Sequence, residues 1–233
     1  MNKFGIIGAM DEEVSCLKEK MQVTKVEKKA GMEFFQGSLQ NKEVVIVRSG
    51  IGKVNAAICT QILVDDFGVE AVINTGVAGA LENAINIGDI VLSSDALQHD
   101  VDATGFGYKL GVIPRMEQSI FTADETLIAV AKKVNEEVNS EISTFVGRVV
   151  SGDQFVSSKE KKDFLVEEFG GYCTEMEGAS IAQVCYLNQI PFLVIRAISD
   201  KADQSATMDY GEFEKQAIVH TVKLVTGMME ALA

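Results

Sequence analysis

Short runs of apolar residues alternate along this chain with stretches whose apolar positions recur every three or four residues, and the alternation predicts an α/β fold. Strands are expected at Phe4 to Gly8, Phe34 to Leu39, Val44 to Ser49, Ala71 to Gly76, Asp89 to Leu97, Phe145 to Gly152, Tyr172 to Met176 and Phe192 to Ser199. Helical periodicity joins Met10, Val14, Leu17 and Met21, then Leu127, Val130, Ala131, Val134 and Val138. A last helix is expected from about Asp209 to Leu232, with Phe213, Ala217, Leu224 and Met228 on one stripe. No linker, low-complexity tract or internal repeat interrupts the pattern. It predicts a single domain over residues 1–233, a three-layer α/β/α sandwich around a central mixed sheet of eight or nine strands.

Three acids fall just beyond strand-like runs. Glu177 lies in Glu175-Met-Glu-Gly-Ala-Ser180, Asp200 ends Arg196-Ala-Ile-Ser-Asp200, and Glu13 closes Met10-Asp-Glu-Glu13. Ligands of open α/β sheets bind outside the carboxyl ends of strands, so acids stationed there can converge on one pocket. Glycine-rich turns follow several of the same strands: Ser49-Gly-Ile-Gly52, Asn74-Thr-Gly-Val-Ala-Gly79 and Ser151-Gly-Asp153. Glycine lets backbone amides approach a ligand closely, and together the turns suggest a nucleoside-sized pocket. Neither a phosphate loop nor a dinucleotide fingerprint is present, since Gly50-Ile-Gly52-Lys53 lacks the third glycine.

Charge and rare residues narrow the chemistry. A formal charge of -13 argues against nucleic acid and anionic membrane surfaces, which call for basic patches. No apolar run is long enough to span a bilayer, and a cytoplasmic protein is expected. Cys16, Cys59, Cys173 and Cys185 have no metal-ligand spacing and read as small core residues rather than disulfide partners. His99 and His220 are the only imidazoles, so a catalytic triad or metal cluster is not economical; His220 reads as structural and His99 as a loop or interface residue.

Taken singly, each acid has a plain structural reading. Glu13 could be a solvated first-turn acid, as Asp11 and Glu12 are expected to be; Glu177 could be a helix-start charge, and Asp200 could cap the Lys201 to Gln204 turn. Met176 and Phe155 would by composition be core residues.

Gly5-Ile-Ile-Gly-Ala-Met-Asp-Glu-Glu-Val14, Ser49-Gly-Ile-Gly-Lys-Val-Asn-Ala56, Asn74-Thr-Gly-Val-Ala-Gly79, Ser151-Gly-Asp-Gln-Phe155, Glu175-Met-Glu-Gly-Ala179 and Arg196-Ala-Ile-Ser-Asp-Lys-Ala-Asp203 together resemble the bacterial 5'-methylthioadenosine/S-adenosylhomocysteine nucleosidases. The likeness runs over essentially the whole chain and implies a nucleoside phosphorylase-like fold and hydrolysis of an adenine–thioribose bond without metal or cofactor. By resemblance Asp200 protonates N7 of adenine, helped by Ser199 and Arg196, and Glu13 takes a proton from water. Glu177 would accept hydrogen bonds from the ribose hydroxyls beside Met176, Phe155 would stack on adenine, and the backbone of Val156 would read the base edge. The resemblance also implies that Gly79 gives a close backbone approach, that Met10 lines the pocket and that Tyr210 caps the base. Phe106 and Pro114 would be lent to the alkylthio tail by the second subunit of a homodimer. Val77 stands where several members of the family have serine.

The rivals are a purine nucleoside phosphorylase, a futalosine-type nucleosidase and a non-catalytic nucleoside sensor. Phosphorolysis needs cations around a dianion, whereas the loop after the first strand is acidic; Arg48 and Lys53 keep that reading open.

Overall fold

The computed structural model describes residues 1–232. Its ten strands join one mixed sheet, in the order β2 (Gln22–Lys29), β3 (Met32–Leu39), β4 (Lys42–Arg48), β1 (Lys3–Gly8), β5 (Ala71–Ala80), β9 (Cys173–Glu175), β8 (Thr144–Ser151), β6 (Ile90–Gln98) and β10 (Phe192–Asp200), with β7 (Ile120–Thr122) paired to β6. β5 accounts for the curvature. β10 runs along it from Val72 to Gly79, while β1 pairs with its first residues and β9 with Gly79 and Ala80. Pairing β5 with both β9 and β10 closes the last five strands into a ring.

Every residue of β10 is buried, and its sequence is apolar apart from Arg196 and the terminal Ser199 and Asp200. Helix α6 (Ala206–Ala231) packs along β10 and β5 in contact with α1 (Asp11–Lys20) and α3 (Glu125–Val138). A second set, α2 (Lys53–Asp65) and α5 (Gly178–Asn188), pack on each other, α5 also covering β6 and β8. α4 (Lys159–Phe169) adds Leu165 and Phe169 to a smaller apolar cluster with Leu81, Leu97, Val150, Val156 and Ala202.

All eight expected strands are present, and two more join them. β2, of sequence QVTKVEKK, is exposed along most of its length, so no alternation of buried and polar positions announces it. It is held by antiparallel pairing with β3 through a hairpin whose Ala30 and Gly31 both have positive φ, the geometry that fits a two-residue loop to twisted strands. β7 is three residues long, too short for any period. α6 begins three residues before the expected Asp209.

Candidate active site

Glu13, on the first turn of α1, folds back over the end of β1 instead of facing solvent. Its Oε2 accepts from the amides of Ala9 and Met10 at 2.6 and 3.0 Å, and its Oε1 from the amide of Val77 in β5 at 3.1 Å. It is buried, whereas Asp11 and Glu12 of the same turn are exposed as expected. Burial raises its pKa, against the Arg196 charge and the three amides, which favour the carboxylate. Gly76 makes room for it: a Cβ there would collide with Glu13 Oε1 and lie 3.0 Å from the Arg196 guanidinium.

Asp200 ends β10 at a bulge. Ile198 pairs with Ala78 and Asp200 with Gly79, so Ser199 is an extra residue that turns the strand end. Asp200 Oδ2 accepts from Ser199 Oγ at 2.9 Å and Oδ1 from the amide of Ala202 at 2.8 Å. The turn-capping bond is therefore real, and the same carboxylate also lines a cavity. Burial raises its pKa, and the neighbouring charges of Asp209 and Asp203 push it the same way. Val77 contributes its amide to Glu13, and Asp200 is held by Ser199 and Ala202 without a hydroxyl at position 77.

Glu177, the residue before α5, reaches across to the Gly50-Ile-Gly52 turn, where its Oε1 accepts from the amide of Gly52 at 2.8 Å. Burial pushes its carboxyl up to about 8, and the charge of Glu175 adds to the effect. Glu175 itself went unrecognised in the sequence. It is buried and accepts from the amides of Glu177 and Gly178, from Ser151 Oγ and from Arg196. These donors hold its pKa below the ordinary value despite burial. The one legible signal was a second acid two residues from Glu177, next to a helix start.

Arg196 corrects an expectation. It was expected beside Asp200; instead its guanidinium, 2% exposed, binds Glu175 and Asn74 Oδ1 and is not among the residues lining the cavity. Arg196 pairs with Gly76 and Asp200 with Gly79, so across the bulge the arginine lies three ladder positions deeper in the sheet.

The cavity, about 200 Å³, is lined by Glu13, Glu177 and Asp200 together with Met10, Val77, Gly79, Phe155, Met176, Ser199 and Tyr210. Ile51, in the turn that meets Glu177, also lines it and was not foreseen. The Phe155 ring, about half exposed, meets Tyr210 edge-on at 6.1 Å, and the Tyr210 hydroxyl donates to Glu214 at 2.8 Å and lies 3.4 Å from Met10 Sδ. Val156 borders a smaller recess shared with Gly79, Phe155 and Asp200. Phe106, 88% exposed on a 3-10 turn, and exposed Pro114 line neither space.

The cations that could receive a phosphate are engaged. Arg48 pairs with Asp11 at 3.3 Å and Lys53 with Asp100 at 2.6 Å. Asp153 and Asp100 tie the Gly52-Lys53 turn to the Gly152 turn through the amides of Lys53 and Asp153, at 2.9 and 3.0 Å. Among the described residues, no three His, Cys, Asp or Glu are placed to hold a metal, and all four cysteines are free thiols. His99 is buried against Gly152 with its pKa pushed down to about 4 by burial, and His220 Nδ1 lies 2.9 Å from the Gly88 carbonyl.

The family model of the phosphorylase superfamily matches residues 3–230. The 5'-methylthioadenosine/S-adenosylhomocysteine nucleosidase of Staphylococcus carnosus is 42% identical over 229 residues, 98% of this chain and 99% of its own. The same enzyme from Neisseria meningitidis, solved in complex with methylthio-immucillin-A, superimposes with a TM-score of 0.95 at 37% identity over 99% of this chain and 100% of its own. The futalosine hydrolase of Helicobacter pylori superimposes with a TM-score of 0.93 at 38% identity, covering 99% and 98%. With matches that run from end to end of both partners, the chain belongs to the 5'-methylthioadenosine/S-adenosylhomocysteine nucleosidase family of the phosphorylase superfamily.

Proposed function

We propose that this protein hydrolyses the N-glycosidic bond of 5'-methylthioadenosine and S-adenosylhomocysteine, releasing adenine and the thioribose product, and acts on 5'-deoxyadenosine as well. The observation that carries the reading is the environment of Glu13. A desolvated carboxylate occupies the loop after the first strand, where phosphorolysis would need a free cation, and Arg48 and Lys53 are already paired with acids.

Such a bond breaks through a transition state with sugar-cation character, so the leaving base needs a proton and the opposite face an activated water. Asp200, whose pKa burial raises, delivers a proton to N7 of adenine, and Ser199 steadies the carboxylate that results. Glu13 accepts the proton of the attacking water. Glu177 takes the ribose hydroxyls through its carboxyl oxygens, and a sugar cation forming beside it favours the ionised form of that carboxyl. Phe155 and Tyr210 enclose the base, Val156 reads its edge through the backbone, and Met176 and Met10 flank the sugar and its sulfur. Arg196 acts by holding Glu175. No metal or cofactor is required.

The active form in this reading is a cytoplasmic homodimer of one-domain subunits serving methionine salvage. Phe106 and Pro114 complete the partner's tail pocket, which fits their exposure here.

The test is incubation with methylthioadenosine in phosphate-free buffer after dialysis against a chelator. Release of free adenine and thioribose supports hydrolysis; dependence on phosphate with a ribose 1-phosphate product would establish the phosphorylase instead. Binding without turnover would mark a sensor. Because the Helicobacter futalosine hydrolase shares the fold, futalosine is assayed alongside, and a higher kcat/KM for it would reassign the substrate.

A further inference from the structure

Lysine is seldom buried without a carboxylate partner, because its ammonium is costly to remove from water. Lys162, on α4, is nevertheless 7% exposed, and its Nζ donates at 2.7 Å to a carbonyl, that of Lys201, the residue next to Asp200. The same helix presses on the same turn through apolar contact, since Leu165 and Phe169 share a buried cluster with Ala202. From the other side the Lys201 ammonium donates to the Ile85 carbonyl. Next to Lys201, which both bonds hold, Ala202 adopts a left-handed backbone, φ 53°, which a residue with a Cβ adopts only under strain. That conformation brings the Ala202 amide to Asp200 Oδ1 at 2.8 Å.

We propose that Lys162 is a positioning residue for Asp200, fixing the turn that orients the acid and placing a cation near the carboxylate formed when its proton leaves. The inference rests on Asp200 being the general acid. A strained turn held at Lys201 from two sides and packed at Ala202 keeps one geometry through the reaction, and a cation behind it favours the anionic product of proton transfer. Asp200 also faces Asp203 on its own turn, Asp209 on α6, and Glu13 and Glu177 across the cavity, while Lys162 faces Asp163 on its own helix, Asp203 and the like charge of Lys201. Without Lys162 the acids around Asp200 predominate, so the acid holds its proton more tightly.

The experiment compares the full-length protein with its Lys162→Met and Lys162→Arg variants on two substrates. Methylthioadenosine needs its base protonated, whereas a 4-nitrophenyl 5-thioriboside has a leaving group that departs as an anion. Unless the parent releases adenine from methylthioadenosine, the proposed function fails and not this inference. Given an active parent, Lys162→Met should lose about tenfold in kcat on methylthioadenosine, a fraction of what general acid catalysis supplies, with KM little changed. Its alkaline limb should move to higher pH, Lys162→Arg should recover most of the loss, and the aryl substrate should be turned over as fast as by the parent. If Lys162→Met does not fold, Lys162→Gln keeps a donor without the charge and should show the same shift of the limb. Equal losses on both substrates, no loss on either, or an unmoved pH limb would overturn the proposal.

Discussion

Arg196 and Glu175 form a buried ion pair, Glu175 lining the cavity and Arg196 behind it, 2% and 3% exposed at their side chains, and the two are completed by Asn74, Ser151 and the amides of Glu177 and Gly178. Removing one partner of such a pair leaves an uncompensated charge and typically costs about 3 to 5 kcal/mol. Glu175→Leu should therefore be destabilised by that order in urea unfolding. The double variant Glu175→Leu/Arg196→Met should regain a substantial part of the loss. Additive losses in the double variant would show that the pair does not act as a unit.

Glu177 makes stability depend on pH with a definite sign. Its carboxyl is raised from 4.5 to about 8, so across that window the folded chain keeps a proton that the unfolded chain releases. Native stability then falls as pH rises, by at most about 1.4 kcal/mol per pH unit per proton. Glu177→Gln should lose this slope, so that its stability relative to the parent improves between pH 5 and about 8. Parallel unfolding free energies for the two proteins over that range would refute the raised pKa.

The same residue shows where sequence reasoning reached and where it stopped. Glu13, Glu177 and Asp200 share one cavity, as their place just beyond strand-like runs suggests, because the ends of its strands are where an α/β sheet exposes side chains to a ligand. Arg196 was misplaced because a motif records spacing along the chain, not depth in the sheet. Glu175 was missed for a related reason: an acid that satisfies helix-start amides and an arginine looks in sequence like any surface charge. The edge strand β2 was missed because a strand held by its hairpin and one neighbour needs no apolar face.

Gly79 faces the acid at close quarters. A Cβ on it would lie 2.7 Å from Asp200 Oδ1 and 2.9 Å from Ala202 Cβ, and neither can retreat because the turn is anchored. Gly79→Ala should cost roughly 1 to 3 kcal/mol of stability, as overpacking does, and lower kcat more than it raises KM. Gly211→Ala is the contrast, since a Cβ there meets nothing within 4 Å and the residue lies inside α6. That variant should gain up to ~1 kcal/mol. Equal thermal shifts for the two variants would argue against steric crowding at Gly79.

Phe106 tests the proposed dimer. Its ring is bare in the single chain, and burying it against an apolar tail should contribute about 1 to 3 kcal/mol. Phe106→Ala should weaken methylthioadenosine more than adenosine, which lacks the thioether. A fully active monomer in sedimentation, or equal weakening of both substrates, would exclude this role.

The two chemical carboxylates can be separated by the leaving group. Asp200→Asn preserves the shape and the bond from Ala202 but removes the proton that adenine must receive, a loss of ~10² to 10⁴ in rate. Glu13→Gln removes the group that accepts a proton from water, with a loss of similar order. Both variants should still bind an adenine nucleoside, because stacking by Phe155 and the ribose contacts of Glu177 remain. On a thioriboside with an aryl leaving group that departs unprotonated, Asp200→Asn should recover nearly full activity. Glu13→Gln should not, since the attacking water still has to give up its proton. Rescue of the Glu13 variant with no rescue of the Asp200 variant would exchange the two roles.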